Sequence, residues 1–409
     1  MAAPLTQAYV FAQLAGDPRP VGTVRLTPGG YEFGYARSWL GRSDAFALDP
    51  IHLPLREQSF LGTQLFSALA DSLPDDWGRR VFAAIHRQQP ANEVEALLVT
   101  RGTGVGCLLY SGSKERVKPP AAVPAFADLA RIAQAASEVE ARRVVQDEGL
   151  VRLLWFGSSM GGARPKATVA HEGREWIAKF AREGDLFDHA LAEKAFQLMA
   201  ADAGLPVMES RVVAVAGGNV LLIERFDRRP GGERLHYISA RTLLSMYRIG
   251  AADERGDFSY AGIADGLKRC AFEAVAQLRQ LYRRMAFNLA IANTDDHLLN
   301  HGLLYLPGRG YGLAPVFDVV PNPRQPELHA IGLGSDGRRA SLANLLSRHA
   351  KFGLDRHAAV EEIAAVLAVV GRCDEYFERV GMAAVDRVMH GALCRRYGQA
   401  ELDAAAAAA

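Results

Sequence analysis

The stretch that most constrains this chain is NTDDHLLN, Asn293–Asn300, which gathers amide, carboxylate and imidazole groups where an apolar helical run stops. Behind it Val275, Leu278, Tyr282, Met285 and Leu289 recur at helical spacing, which predicts a helix with one buried stripe. A polar cluster at the end of a buried helix is held in place by that helix.

Within the cluster, Asp295 and Asn300 stand as D-x-x-x-x-N. This is the spacing by which a protein-kinase catalytic loop carries its base and a metal-ligating amide. A second acid, Asp318, follows in GLAPVFDVVPN, where an apolar run puts an isolated carboxylate at an expected strand end. Kinases place the aspartate that holds magnesium against nucleotide phosphates at such a point. Each signal alone has an ordinary explanation, since D-x-x-x-x-N arises by chance and an Asp after a strand is usually a turn former or a cap. Their order, together with a lysine upstream, narrows the reading.

At 409 residues the chain is long enough for two or more domains with proper cores. A hydrophobic share of 49% and a charged share of 23% are those of a globular, soluble protein. The formal charge of +1 gives no overall attraction to nucleic acid or membrane, so direct nucleic-acid binding by the chain alone is not expected. Cys107, Cys270, Cys373 and Cys394 form no C-x-x-C pair and read as reduced thiols. The N-terminus lacks a basic region followed by a long apolar core, and nothing later stays apolar over membrane length, so a cytoplasmic location is expected. The run Ala404–Ala409 is low complexity and carries no functional expectation.

From the N-terminus, AYVFAQLA, VGTVRLT and YEFGYARSW read as strands of a half-buried antiparallel sheet with a turn at TPGG. LFSALADSLPDDWGRRVFAAIHRQ reads as helices broken at Pro74, with Asp75 and Asp76 near the next helix start, where carboxylates suit the dipole. RGTGVGCLLY carries Gly102, Gly104 and Gly106 but no following helix, so a turn and a strand are expected there rather than a phosphate loop. KERVKPPAAVPAF is proline-rich and polar, the best linker in the chain.

A second glycine-rich segment, FGSSMGGARPKATVA, offers small side chains and backbone N–H groups, with Lys166 where a strand begins. Such a loop either wraps phosphates or simply turns a hairpin. REWIAKFA is a strand whose Lys179 is either a snorkelling edge residue or a phosphate ligand. The helix LAEKAFQLMAADAGL follows, and Glu193 in its first turn is either the lysine's partner or an acid favoured by the dipole. RVVAVAGG and NVLLIERFDRR make a hairpin, and its second strand ends at Glu224, Arg225 and Phe226, where backbone groups suit an adenine ring. Strand, lysine, helix, hairpin, crossover, helices and the polar loop follow one another in the order of a two-lobed kinase.

GGARPKA, IERFDR, NTDDHLLNHG and VFDV, preceded by VGTVRL and SLPDDWGRR, closely resemble HipA-type serine/threonine kinases, the toxin halves of bacterial HipBA-like toxin–antitoxin pairs. The resemblance runs over nearly the whole chain. It implies an α+β, two-lobed protein-kinase-like fold with a small N-terminal β-rich subdomain and a largely helical C-terminal lobe. The implied organisation is an N-terminal subdomain over 1–113, a linker over 114–124, a kinase N-lobe-like region over 125–228, a helical C-lobe over 229–403 and an alanine tail over 404–409. It further implies ATP and Mg2+ as cofactors, Asp295 as the base, His297 as its support, and Asn300 and Asp318 as metal ligands. Ser159, Met160, Gly161, Gly162, Ala163, Arg164 and Lys166 would cover the phosphates, with Lys179 contacting them and Glu224, Arg225 and Phe226 forming the adenine crossover. Ser159, or its neighbour Ser158, would be autophosphorylated. The implied partners are a protein substrate, such as an aminoacyl-tRNA synthetase or another translation component, and a HipB-like DNA-binding antitoxin.

Two competing readings follow from the same residues. TDDH with His301 is also a set of metal-hydrolase ligands, although no second cluster at ligand spacing supports it. Alternatively, the chain is a non-catalytic pseudokinase acting as co-repressor with an antitoxin; the presence of every key catalytic group argues against lost catalysis.

Overall fold

The computed structural model describes residues 4–86, 89–100, 102–119, 122–142, 149, 154, 162, 164–215, 218–245 and 258–408. The first strands are β1 (Gln7–Ala12), β2 (Arg19–Thr27), β3 (Gly30–Tyr35) and β4 (Phe60–Gly62). With β5 (Leu108–Ser111) they form an antiparallel sheet in the order β4-β3-β2-β1-β5. Alternation sets the faces: Tyr31, Phe33 and Tyr35 of β3 are buried while the residues between them are half-buried. The TPGG turn closes the β2–β3 hairpin at Thr27 opposite Gly30. Gly30 has φ of +117°, and a Cβ there would lie 2.3 Å from the Gly62 carbonyl oxygen, so only glycine lets β4 approach.

Pro74 separates a short helical turn at Ser67–Ala70 from α1 (Asp76–His86), as its missing N–H and ring geometry require. The segment 102–106 leads into β5, the turn and strand expected of RGTGVGCLLY. Next come α2 (Leu129–Glu140), β6 (Lys166–His171) and β7 (Arg174–Lys179). The chain continues through α3 (His189–Asp202) into β8 (Ser210–Val215) and β9 (Gly218–Glu224). A four-stranded sheet has the order β6-β7-β9-β8. Trp77, Val81 and Phe82 of α1 and Leu129, Ile132, Ala135 and Val139 of α2 share one core with Val169, Trp176, Ala178, Val220 and Leu222. Each large side chain buried there contributes about 1.5–3 kcal/mol.

After β10 (His236–Ser239), the helices α4 (Tyr260–Cys270) and α5 (Ala274–Ala290) precede a hairpin of β11 (Gly302–Leu306) and β12 (Gly310–Leu313). The C-terminal part is helical: α6 (Arg356–Val370), α7 (Cys373–Arg379), α8 (Ala384–Cys394) and α9 (Gln399–Ala408), the last running through the alanine tail. The chain groups into two compact units: Met1–Gly184 with Val213–Tyr247 and Leu304–Arg309, and Asp185–Val212 with Arg248–Leu303 and Gly310–Ala409. The architecture is a mixed α+β fold with an N-terminal β sheet and a more helical C-terminal part. No helix among the described residues is long and apolar enough to cross a membrane.

One expected core position is corrected. Val275 is 78% exposed, whereas Leu278, Tyr282, Met285 and Leu289 are buried. Val275 sits in the first turn of α5, just after Glu273 in the left-handed region, and the buried stripe begins only a turn later.

Candidate active site

Every residue from Arg284 to Thr294 is buried, so the end of α5 and the turn beyond it are sunk in the second unit. The helix stops because Ala292 takes φ of +56° and the Asn293 amide reaches back to the Asn288 carbonyl at 2.8 Å. The chain then surfaces at a single residue. Asp295 is exposed, and its neighbour Asp296 is wholly buried.

Asp296 anchors the loop. Its Oδ2 accepts from the Tyr260 hydroxyl at 2.6 Å and from His329 Nδ1 at 2.9 Å, and its Oδ1 accepts from the Ala330 amide at 3.3 Å. The Asn288 side chain donates to the Tyr260 hydroxyl at 2.8 Å, and the Asn293 amide group donates to Asn288 Oδ1 at 3.1 Å. Burial works to raise the Asp296 carboxyl, but His329 and the Tyr260 hydroxyl outweigh it and hold the group below the usual carboxylate range. His301, also buried, lies with Nε2 3.2 Å from the Asp296 carbonyl, and burial pushes it down to about 3, so it is neutral.

Replacing Asp296 by Ala would leave the Tyr260 hydroxyl, His329 Nδ1 and the Ala330 amide without their acceptor. A loss of about 3–5 kcal/mol is expected. Because the folded-state carboxyl is depressed, this contribution is full above the unfolded value of about 4 and disappears as pH falls through the folded one. Thermal unfolding of wild type and Asp296→Ala should therefore differ widely at pH 7 and converge only in acid.

Around Asp295 the other expected site residues gather within the second unit. Asn300 donates its Nδ2 to the Asp295 carbonyl at 2.9 Å. Asp318 has φ of +53°, a left-handed conformation unfavourable for a residue with a side chain, and its carbonyl accepts from Asn293 Nδ2 at 3.2 Å. Asn293 thus ties the loop to the Asp318 backbone. Although Asp295 faces solvent, the protein on its other sides still desolvates it and raises its carboxyl; the His297 ring pulls it back, and the Asp318 and Asp296 carboxylates add to the rise. His297 Nδ1 is buried with no hydrogen-bond partner among the described residues, so the backbone carbonyl contact that a purely structural histidine would make is not seen at that nitrogen.

Asp318 was expected at a strand end. β12 instead stops at Leu313, and Asp318 lies in an irregular segment beyond it. Pro315 cannot donate to a ladder, and the Ala314 and Val316 amides are taken by the Gly302 and Pro206 carbonyls.

Among the described residues no group of three or more His, Cys, Asp or Glu is placed to hold a metal ion. Magnesium makes a smaller demand, one or two carboxylates completed by phosphate oxygens and water. Asp318 and Asn300 carry hard oxygen donors of the kind such a site uses, and a cation beside Asp318 would relieve the carboxylate repulsion that adds to the rise of Asp295.

In the first unit, Lys166 opens β6 opposite Lys179 of β7. Lys166 Nζ donates to Asp75 Oδ2 and to the Gly162 carbonyl, both at 3.2 Å. Ser158, Ser159, Met160, Gly161 and Ala163 lie outside the described residues. Glu193 is buried in α3, in the second unit. At the expected crossover, Glu224 pairs with Arg174 at 3.1 Å and the Phe226 ring stacks 5.9 Å from Tyr237. The Arg225 side chain points away from solvent and into the protein. Its guanidinium is buried against Asp227 at 2.8 Å and the Gly104 carbonyl at 2.9 Å, and its amide donates to the Glu175 carbonyl. Its side chain and amide are thus committed to structure, because an ionised group so deeply buried must satisfy its donors within the protein.

Sequence reasoning missed Asp296, Tyr260, Asn293 and His329. Only the doubled acid in TDDH carried a signal, and spacing does not say which of two adjacent carboxylates points inward.

Residues 158–373 match the HipA-like C-terminal domain, and residues 13–111 match the HipA N-terminal domain. The chain belongs to the HipA-like family. Over 144 residues it is 28% identical to a Haemophilus influenzae protein named "Putative kinase", covering 33% of this chain and 42% of that protein. Over 162 residues it is 28% identical to the "Putative kinase Y4dM" of Sinorhizobium fredii, covering 36% and 37%. The matched stretches span less than half the length of either relative. In fold, this HipA-like chain is similar to HipA of a Shewanella oneidensis MR-1 toxin–antitoxin system, solved in complex with HipB and its operator DNA. The TM-score is 0.74 at 17% identity, covering 98% of this chain and 99% of that one.

Proposed function

We propose that this HipA-like chain is an ATP- and magnesium-dependent serine/threonine protein kinase that phosphorylates a protein target and a serine of its own glycine-rich loop. The observation that carries the reading is the placement of Asp295: one exposed carboxylate on a loop locked from beneath by Asp296, with Asn300 and Asp318 beside it.

In this reading Asp295 orients the substrate hydroxyl and takes its proton as the oxygen attacks phosphorus. His297 tempers the Asp295 carboxyl. The side-chain oxygens of Asp318 and Asn300 would hold magnesium, which when bound neutralises charge on the transferring phosphates. Lys166 and Lys179 are proposed to bring positive charge to the nucleotide phosphates. Glu224 and Phe226, with the Arg225 carbonyl, form the adenine crossover. A phosphate on Ser159 or Ser158 would add about two negative charges next to the nucleotide phosphates and disfavour the closed loop by repulsion.

The fold likeness to a HipA solved with HipB supports a HipB-like antitoxin as partner. With a net charge of +1, contact with DNA is proposed to run through that partner. The protein target is proposed to be a translation component such as an aminoacyl-tRNA synthetase.

Intact mass of the wild type after incubation with ATP, with and without magnesium, tests the activity. One added phosphate that requires magnesium and maps to Ser159 or Ser158 is expected. A chain that binds no nucleotide under either condition would defeat the reading.

A further inference from the structure

A buried ion pair in the first unit joins two segments that no sequence motif connects. Lys166 has a side chain only 4% exposed, and its Nζ lies 3.2 Å from Oδ2 of Asp75, which is 11% exposed. Taking an ammonium and a carboxylate out of water is costly, and apolar residues of similar size would fill such a place with less loss. Packing alone therefore does not account for the pair.

Its surroundings include Gly162 of the glycine-rich segment. The Lys166 ammonium also donates to the Gly162 carbonyl, and a Cβ on Gly162 would come within 3.4 Å of Nζ. The other end is clamped as well. Asp75 Oδ1 accepts from the Gly78 amide at 2.6 Å, and the Asp75 carbonyl accepts from the Arg79 amide at 2.8 Å. Trp77, two residues on and wholly buried, donates its indole N–H to the Lys166 carbonyl at 2.8 Å. The start of α1 thus grips Lys166 by side chain and backbone together.

We propose that Asp75 is a positioning residue for nucleotide binding: it holds the Lys166 ammonium in place beside Gly162, so that the triphosphate of a nucleotide meets a preformed cation. This rests on the reading of Lys166 as a phosphate ligand. It makes SLPDDWGRR, which lies within the N-terminal domain, part of the nucleotide site, because an ammonium deprived of its carboxylate partner is no longer held in one orientation toward a phosphate.

The test is a double-mutant cycle on the full chain, with Mg-ATP binding measured by calorimetry, steady-state kinetics, and the unfolding midpoint without nucleotide. Asp75→Asn, which keeps the shape and removes the charge, should weaken Mg-ATP binding roughly tenfold and raise KM far more than it lowers kcat. Asp75→Glu should restore part of the loss, and it serves as the reporting variant should Asp75→Asn not fold. In a Lys166→Met background, Asp75→Asn should add no further loss. Unchanged binding in Asp75→Asn alongside weakened binding in Lys166→Met would overturn the assignment of Asp75. An equal loss with and without Lys166 would overturn it too, as would a loss that merely follows a lowered unfolding midpoint. If Lys166→Met binds Mg-ATP as wild type does, or wild type does not bind it, the phosphate reading of Lys166 itself fails.

Discussion

Purified Asp295→Ala protein is expected to bind Mg-ATP within a few-fold of wild type while phosphoryl transfer falls by roughly 10²–10⁴-fold. The split follows from where the groups sit. Asp295 is the exposed carboxylate of the loop, its neighbour Asp296 carries the buried hydrogen bonds, and Asn300 reaches the Asp295 carbonyl rather than its side chain. Removing the Asp295 carboxylate therefore takes away the proton acceptor and leaves the scaffold intact. Asp318→Ala should instead lose both binding and transfer, since a metal ligand acts on the bound nucleotide before any chemistry. Single-turnover kinetics beside calorimetry separate the two cases. Desolvation and the neighbouring acids raise the Asp295 carboxyl, so transfer should fall as pH drops through that raised value and the base takes up its proton. Transfer by Asp295→Ala at the wild-type rate would sink the assignment of the base.

The second large effect is expected far from this loop. Asp227→Ala should destabilise the first unit by about 3–5 kcal/mol, because two buried guanidiniums would lose their fully buried carboxylate and keep only the part-exposed Glu175, 3.6 Å from Arg225 and 3.3 Å from Arg228. Asp227 is fully buried; it accepts from Arg225 Nε and Nη2 at 3.0 and 2.8 Å, from Arg228 Nη1 at 2.7 Å and from the Gly106 amide at 2.7 Å. Arg228 and Arg234 meanwhile hold the carbonyls of Gly104, Gly106 and Gly102. The unfolding midpoint should drop by on the order of 10 °C. Burial alone would raise the Asp227 carboxyl, but Arg225 and Arg228 hold it far below the usual range. Its contribution is thus complete above the ordinary carboxylate value and is lost as pH falls toward the folded one. Differential scanning calorimetry of wild type and Asp227→Ala between neutral and acid pH checks both size and sign; a midpoint shift of only a degree or two at pH 7 would show the cluster to be dispensable.

These two carboxylates also mark how far the sequence is legible. Strands such as β1, β2, β3, β6 and β7 could be read from alternation, and α3 and α5 from apolar spacing, because both periods follow from local backbone geometry. Helix breaks at Pro74 and Gly204 were equally local, one from a missing N–H and one from φ of +76°. Asp295 and Asn300 could be marked because their spacing lies within one loop. Val275 matched the helical period and still ended exposed, since a period states which residues share a face but not where burial along it begins.

Local patterning along the chain was enough for the order of elements and, through its motifs, for the family. That Asp296 points inward to Tyr260 and His329 while Asp295 faces out came from packing between segments far apart in the chain. Such packing alone brought Asp75 to Lys166 across 91 positions, and the Arg225 guanidinium to the Gly104 carbonyl across 121. The physical reason is desolvation. A buried charge must find its partner wherever packing places one, and no local period encodes that distance.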